Sequence, residues 1–313
     1  MTNWTKILTL GASGTATNQL NGPTAIAIDY PYLWIADNLN SRILKWELNG
    51  GKYVDSISSV KAYALEIIGD HIYAAVTTDD KVHMYDKHTL SEVRSSAAFT
   101  TLSNMTQFRN NLYVVDYSTN TIYKLDPSTL NRLQTAQISG ASGNYKSIAA
   151  LGNYLYVLTD SNIVYRVKSD LEYDNKSVDL SSYLSAADYI CAHEDYLFIT
   201  GGDADYVLID AALQFIANED FDTDDWTTAY DIRTLSKHVF LAADFTGDCI
   251  VCMYGYDRDS GKASGDAITI TDDGDWEFGD DIIIGGTEAN MSTVSWVRSV
   301  HVKPQSRNAW LRS

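Results

Sequence analysis

Five ionisable side chains stand where this chain otherwise places small residues: Glu66, Asp231, Arg233, His301 and Lys303. A carboxylate, an imidazole and cations around one pocket are what an acid–base site uses. The first two move a proton, and a cation holds developing negative charge. The catalytic candidates are therefore Glu66, Asp231, Arg233 and His301. The same residues could equally form an ion-pair network lining a wet channel, because a buried charge needs a partner. Other constellations are poorer. His71, His83, His88, His193 and His238 share no metal-ligand spacing. Cys249 and Cys252 form a C-x-x-C within a strand-like run, where residues three apart point to opposite faces. With Cys191 as the third thiol there is no disulfide framework. Asp257-Arg258-Asp259-Ser260-Gly261 begins like a calcium loop but does not complete one. No metal site and no cofactor are expected, calcium being the one cation that the acidic residues would suit. There is no nucleophile elbow, P-loop or dinucleotide fingerprint.

The chain has 313 residues with 41 Asp and Glu against 23 Lys and Arg, a net charge of −18. That balance argues against nucleic acid, whose phosphates need clustered Lys and Arg. It suits cations or a basic protein partner. Many of the acids fall in turns, among them Asp37, Asp79, Asp80, Asp116, Asp160 and Asp244, and more fall in longer connections, among them Asp220, Asp222 and Asp224. These positions are expected to share one face. Asp is also a good turn former, closing turns on its own backbone.

The elements that must position these groups repeat. Trp34, Tyr73, Tyr113, Tyr156, Phe198, Phe240 and Trp310 recur in similar short apolar blocks, at intervals of roughly forty residues, the last interval nearly twice as long. A second column lies eight residues before the aromatics: Ile26, Leu65, Met105, Ile148, Ile190, Ile232 and Val302. Its flanks are mostly small. Between them, short alternating runs and turns such as Asn49-Gly50-Gly51 read as four strands per repeat. Inner strands with one bulky and one small face are what sheets stacked around an axis require. The fold class is all-β, a single-domain β-propeller over residues 1–313. Seven first strands imply seven blades, with residues 1–10 as the strand that closes the last blade onto Asn308 to Leu311. Six blades is the alternative, with Thr293 to Ser313 completing the sixth. Residues 271–293 form an inserted loop between the sixth and seventh repeats. Insertions on one rim of a repeat array carry binding function, so Trp276, Phe278, Asp272, Asp273 and Asp275, with Lys303, are the binding candidates.

The first repeat resembles the NHL-repeat family of β-propellers. The residues that carry this are Leu20-Asn21-Gly22-Pro23, the strand Ala25 to Ile28, and Trp34-Ile35-Ala36-Asp37-Asn38-Leu39-Asn40-Ser41-Arg42-Ile43. The third repeat keeps Val115-Asp116 and Asn120-Thr121-Ile122, and the sixth keeps Ala243-Asp244. The resemblance implies a propeller and no single activity, since such folds host binding modules, lyases, lactone hydrolases and scaffolds.

No stretch approaches the roughly 20 apolar residues that span a bilayer, and the first residues lack the apolar core of a signal peptide. The expected setting is cytoplasmic or virion-associated, without membrane insertion. The function expected is a non-catalytic interaction or assembly module, docking a protein partner or a surface glycan, for example as a virion or tail component. The alternative is a propeller enzyme of the lyase or lactone-hydrolase kind working from the polar residues of the channel.

Overall fold

The computed structural model describes residues 4–48, 51–193, 195–201, 205–220, 226–235, 238–245, 248–256, 269–270 and 276–277. Twenty-six strands run in chain order, none interrupted by a helix among the described residues. Strand β1 is Trp4–Leu10. The first blade is β2 (Pro23–Asp29), β3 (Tyr32–Asp37), β4 (Arg42–Glu47) and β5 (Lys52–Ser58). The second is β6 (Ala62–Ile68), β7 (His71–Val76), β8 (Lys81–Asp86) and β9 (Glu92–Ser95). The third is β10 (Leu102–Phe108), β11 (Asn111–Asp116), β12 (Thr121–Leu125) and β13 (Arg132–Ala136). The fourth is β14 (Tyr145–Leu151), β15 (Tyr154–Thr159), β16 (Ile163–Lys168) and β17 (Tyr173–Asp179). The fifth is β18 (Ala187–His193), β19 (Tyr196–Gly201), β20 (Asp205–Asp210) and β21 (Phe215–Asp220). Then come β22 (Trp226–Leu235), β23 (His238–Phe245) and β24 (Asp248–Tyr256), and a short pair, β25 (Thr269–Ile270) with β26 (Trp276–Glu277).

Five blades are thus built from four consecutive antiparallel strands each. The ring is completed by a composite sheet in the order β1-β24-β23-β22. In it the N-terminal strand pairs Trp4 with Tyr256 and Leu10 with Val251. This corrects the expected blade number. The N-terminal strand pairs with β24, so neither seven blades nor six is what the described strands build, while Asn308 to Leu311 and the rest of Thr293 to Ser313 lie outside the described residues. The free edge of β24 is already taken by β1. A sheet edge accepts any strand of suitable length and alternation, and the chain's first strand fills it.

The core lies between neighbouring sheets. Trp34, Tyr73, Tyr113, Tyr156 and Phe198 are all buried, at 0 to 3% exposure. Trp34 packs among Leu65 and Ile72 of the second blade and Val60 of the connection into it, and Tyr156 among Ile190 and Leu197 of the fifth and Leu184 of the connection into it. Three of the tyrosines also reach the next blade with their hydroxyls. Tyr73 donates to Pro127 O (2.9 Å), Tyr113 to Ser169 O (3.1 Å) and Tyr156 to Ala211 O (2.7 Å). Each acceptor sits in the turn between the third and fourth strands of the following blade. One side chain thus fills the interblade gap and fastens its outer rim. Phe240 and Trp310 have side chains outside the described residues.

Those outer turns share one chemistry. Asp86 accepts the His88 and Thr89 amides at 2.9 and 2.7 Å. Asp126 accepts the Ser128 and Thr129 amides at 2.8 and 3.1 Å. The amides hold the Asp86 carboxyl below the usual carboxylate range, and the Ser128 hydroxyl, donating at 2.6 Å, together with the two amides holds Asp126 there. The turn ends on a leucine in the left-handed region, Leu90 at φ 58° and Leu130 at φ 57°, a conformation that costs a side chain with a Cβ. Leu130 accepts it because its side chain is 2% exposed and joins the interblade core.

On the opposite face, a second device ties the connections entering the first, third and fourth blades to the blade they enter. Asp37 accepts the Asn21 amide, Asp116 the Thr100 amide and Asp160 the Asn144 amide, at 2.7 to 2.8 Å, each across 16 residues. In the first blade Asp37 also holds Arg42 Nε at 2.7 Å, and Arg42 donates on to Ala16 O (2.7 Å) and Gln19 O (2.8 Å). Asn38 reaches Ala62 O at 3.1 Å. The motif residues of the first repeat are therefore a clasp over the loop that follows β1.

Candidate functional site

The inner strands β2, β6, β10, β14, β18 and β22 follow one another round the axis, and β22 packs against both β18 and β2. Their two ends form two mouths of a central channel. One mouth lies on the face where the interblade connections emerge. The other lies at the hairpins joining first and second strands.

At the connection-side mouth every inner strand carries a bulge. The register against the second strand slips between Pro23 and Ala25, Ala62 and Ala64, Leu102 and Asn104, Tyr145 and Ser147, and Ala187 and Tyr189. The skipped residues are Thr24, Tyr63, Ser103, Lys146 and Asp188. A bulge leaves one residue unpaired and re-aims its side chain. Four of these five line a cavity of about 500 Å³: Tyr63, Ser103, Lys146 and Asp188. Thr24, the fifth, is turned aside to donate to Ala62 O at 2.6 Å. Tyr117, Tyr189, Asp80, Thr77, Thr101 and Leu102 complete the wall.

The groups in this cavity are half engaged. Lys146 Nζ donates to Ala187 O at 3.1 Å and pairs with the Asp188 carboxylate. Ser103 Oγ donates to Tyr145 O at 3.0 Å. Tyr117 is pinned through its hydroxyl to Asp160 at 2.7 Å. Asp80 accepts only the Leu102 amide, at 3.4 Å, among the described residues. Tyr63 is 43% exposed and makes no hydrogen bond among the described residues. Four of the acids expected to charge this face are engaged within the fold instead: Asp37, Asp116 and Asp160 as above, and Asp79 by His83 and Lys81.

Sequence reasoning missed this site. Its signal was a column two residues before Ile26, Leu65, Met105, Ile148 and Ile190, occupied by Thr, Tyr, Ser, Lys and Asp. The aliphatic column two residues further on keeps its size from blade to blade, and this one does not.

The hairpin-side mouth holds the candidates taken from the sequence. Glu66 and Arg233, with Cys191, Thr106, Gln107 and Thr234, line a cavity of about 190 Å³. Arg233 lies 3.2 Å from Asp231 Oδ1, and its Nη2 donates to Leu65 O at 3.2 Å. Asp231, 2% exposed, also accepts the Ile26 amide at 3.0 Å and the Ile232 amide at 2.8 Å. An equivalent bond joins the fourth and fifth blades, where Ser147 Oγ accepts the Ile190 amide at 3.3 Å. Asp231 is thus the clip that ties the composite sheet to the first blade. Burial pushes its carboxyl up, and Arg233 and the two amides push it back. Glu66 has no hydrogen-bond partner among the described residues. Burial raises its carboxyl to about 7, against the pull of Arg233. Burial pushes the Cys191 thiol up to about 12, so it is inert near neutrality.

The structure therefore brings Glu66, Asp231 and Arg233 together. His301 and Lys303 lie outside the described residues. So do Asp272, Asp273, Asp275 and Phe278, and the side chain of Trp276. Among the described residues no cluster of three or more His, Cys, Asp or Glu could hold a metal. Nor is any helix long and apolar enough to cross a membrane.

Comparison with known proteins shows the fold. No family model matches the chain, so the likeness of its first repeat to NHL repeats is one of local motif. No curated protein sequence matches it either. Among solved structures, a streptogramin B lyase superposes with a TM-score of 0.62 at 12% identity, over 82% of this chain and 98% of the lyase. Virginiamycin B lyase from Staphylococcus aureus gives 0.61 at 12% identity, over 82% and 99%. BamB from Moraxella catarrhalis gives 0.50 at 9% identity, over 77% and 85%. At such identities the likeness is to a β-propeller scaffold, and function must come from the site.

Proposed function

We propose that the protein is a non-catalytic binding module, part of a larger assembly, that docks a protein partner or a glycan at the connection-side mouth of its channel. The observation that carries this is the set of aligned bulges that turn Tyr63, Ser103, Lys146 and Asp188 into one cavity. A concave site with aromatic walls and a few convergent polar groups is the usual form of a ligand site. Its side chains vary from blade to blade, while the aliphatic column two residues further on does not. The direct test is recovery of ligand from the native source by wild type and by the triple variant Tyr63→Ala, Lys146→Ala, Asp188→Ala. Equal recovery by both ends the reading.

A second reading, an enzyme of the lyase or lactone-hydrolase kind, draws on one observation: the buried Glu66 carboxyl, raised to about 7, is suited to exchanging a proton near neutrality. Against it, Arg233 and Asp231 are committed to each other and to backbone groups. Incubation with a streptogramin B, followed by mass spectrometry for ring opening, tests the variant of this reading suggested by the structural neighbours. Turnover abolished by Glu66→Gln would support it, and no turnover by wild type removes it.

A further inference from the structure

We propose that the cavity at the connection-side mouth takes a neutral glycan, with a pyranose ring laid against Tyr63. This rests on the docking reading above and names its ligand. A pyranose is amphiphilic: its C–H faces are apolar, and its hydroxyl edge offers donors and acceptors in alternation. The cavity has the same two characters. Tyr63, 43% exposed and without a hydrogen-bond partner among the described residues, supplies a flat apolar surface. Tyr117 is held rigid by its bond to Asp160 at 2.7 Å. Such rings give contact area at small conformational-entropy cost.

The polar groups discriminate among ligand classes. Lys146 stands beside Asp188, so a donor and an acceptor are presented together. Asp80 adds an acceptor, and Thr77, Thr101 and Ser103 add hydroxyls. A basic side chain brings donors only and would have to face the Lys146 ammonium. An acidic or phosphorylated ligand would face Asp80 and Asp188 within the field of a chain of net charge −18. A polyol satisfies both kinds of group at once and carries no charge against either. The volume, about 500 Å³, lies within the range of small-ligand sites, about 300–1,000 Å³.

The test is a binding screen of the full chain against neutral, sialylated and phosphorylated oligosaccharides, followed by titration calorimetry on whatever is retained. The expected result is retention of a neutral oligosaccharide, weakened roughly three- to tenfold by Tyr63→Ala, as loss of one aromatic contact implies. Asp188→Asn should weaken it about tenfold or more, through an acceptor replaced and an ammonium left unpaired. Tyr63→Leu keeps apolar bulk without the flat ring and covers the case in which the alanine variant is unstable. Two outcomes overturn the proposal: no neutral oligosaccharide retained at millimolar concentration, or affinity unchanged in both Tyr63 variants. A parallel screen against a basic peptide library separates this failure from that of the docking reading. Peptide binding that depends on Tyr63, without glycan binding, leaves docking standing and removes the glycan. Loss of both ligand classes removes both.

Discussion

The two mouths of the channel are built from opposite halves of the same inner strands, yet their polar groups have different fates. At the hairpin side, Asp231 spends its carboxylate on Ile26, Ile232 and Arg233, and Arg233 spends itself on Asp231 and Leu65 O. At the connection side, the bulges lift Tyr63, Ser103, Lys146 and Asp188 out of the regular pairing, and Tyr63 and Asp80 keep much of their bonding capacity. Polar residues lining a channel are not evidence of a site until their partners are counted. Those that close the ring are fastenings, whereas at the connection side Tyr63 and Asp80 keep capacity to meet a ligand.

This contrast can be broken most easily at Asp231. Asp231→Ala leaves Arg233 half buried without its carboxylate and the Ile26 amide without an acceptor. Losing one partner of a buried pair costs about 3–5 kcal/mol, to be read as a drop in the urea midpoint. A change below about 1 kcal/mol, the scale of an exposed pair, would show that Asp231 is not a fastening. Trp34→Ala should lose a similar amount, roughly 3–5 kcal/mol, from the gap between the first two blades.

Glu66 gives the next largest effect, and it depends on pH. Its folded value, about 7, lies above its ordinary 4.5. Between these values the folded chain binds more protons than the unfolded one, so stability falls as pH rises from about 4.5 to 7. The loss is about 3 kcal/mol at most, and Glu66→Gln should flatten that slope. An unchanged slope in the variant would mean that the Glu66 carboxyl is solvated. The exposed turn carboxyls work in the other direction. Asp86 and Asp126 are lowered, so what they contribute is present above about 4 and lost on further acidification.

Tyr156→Phe removes the hydroxyl bond to Ala211 O and keeps the ring. It should cost about 1 kcal/mol, and it measures the rim fastening apart from the packing. The smallest expected effect is the most telling. Tyr63→Ala should change stability by less than about 0.5 kcal/mol, as an exposed side chain outside the core, while weakening ligand binding. A large loss of stability there would mean that the connection-side mouth is structural too.

Much of this architecture was legible in the residues. The aromatic column reads directly as interblade packing, because a ring of sheets must fill each wedge with a bulky side chain, and Trp34 to Phe198 do so. The aliphatic column from Ile26 to Ile232 is buried throughout, at 0 to 2% exposure. Blade number was not legible. It turned on which strand completes the last sheet, and β1 suits several edges by its alternation alone. The cavity was not legible either. A bulge is a property of the pairing between two strands, and nothing in Ala62-Tyr63-Ala64 alone says that Tyr63 will be skipped.

By itself the sequence determined the local rules: short strands, acid-closed turns, and a repeating bulky–small alternation that obliges sheets to stack around an axis. Periodicity carries such rules because each is met within one repeat. Tertiary structure alone decided where the ring closes and which polar groups remain available. Both depend on contacts between distant residues, such as Asp231 with the Ile26 amide, 205 positions away, and no spacing in the chain encodes a bond that only the closed ring brings within reach.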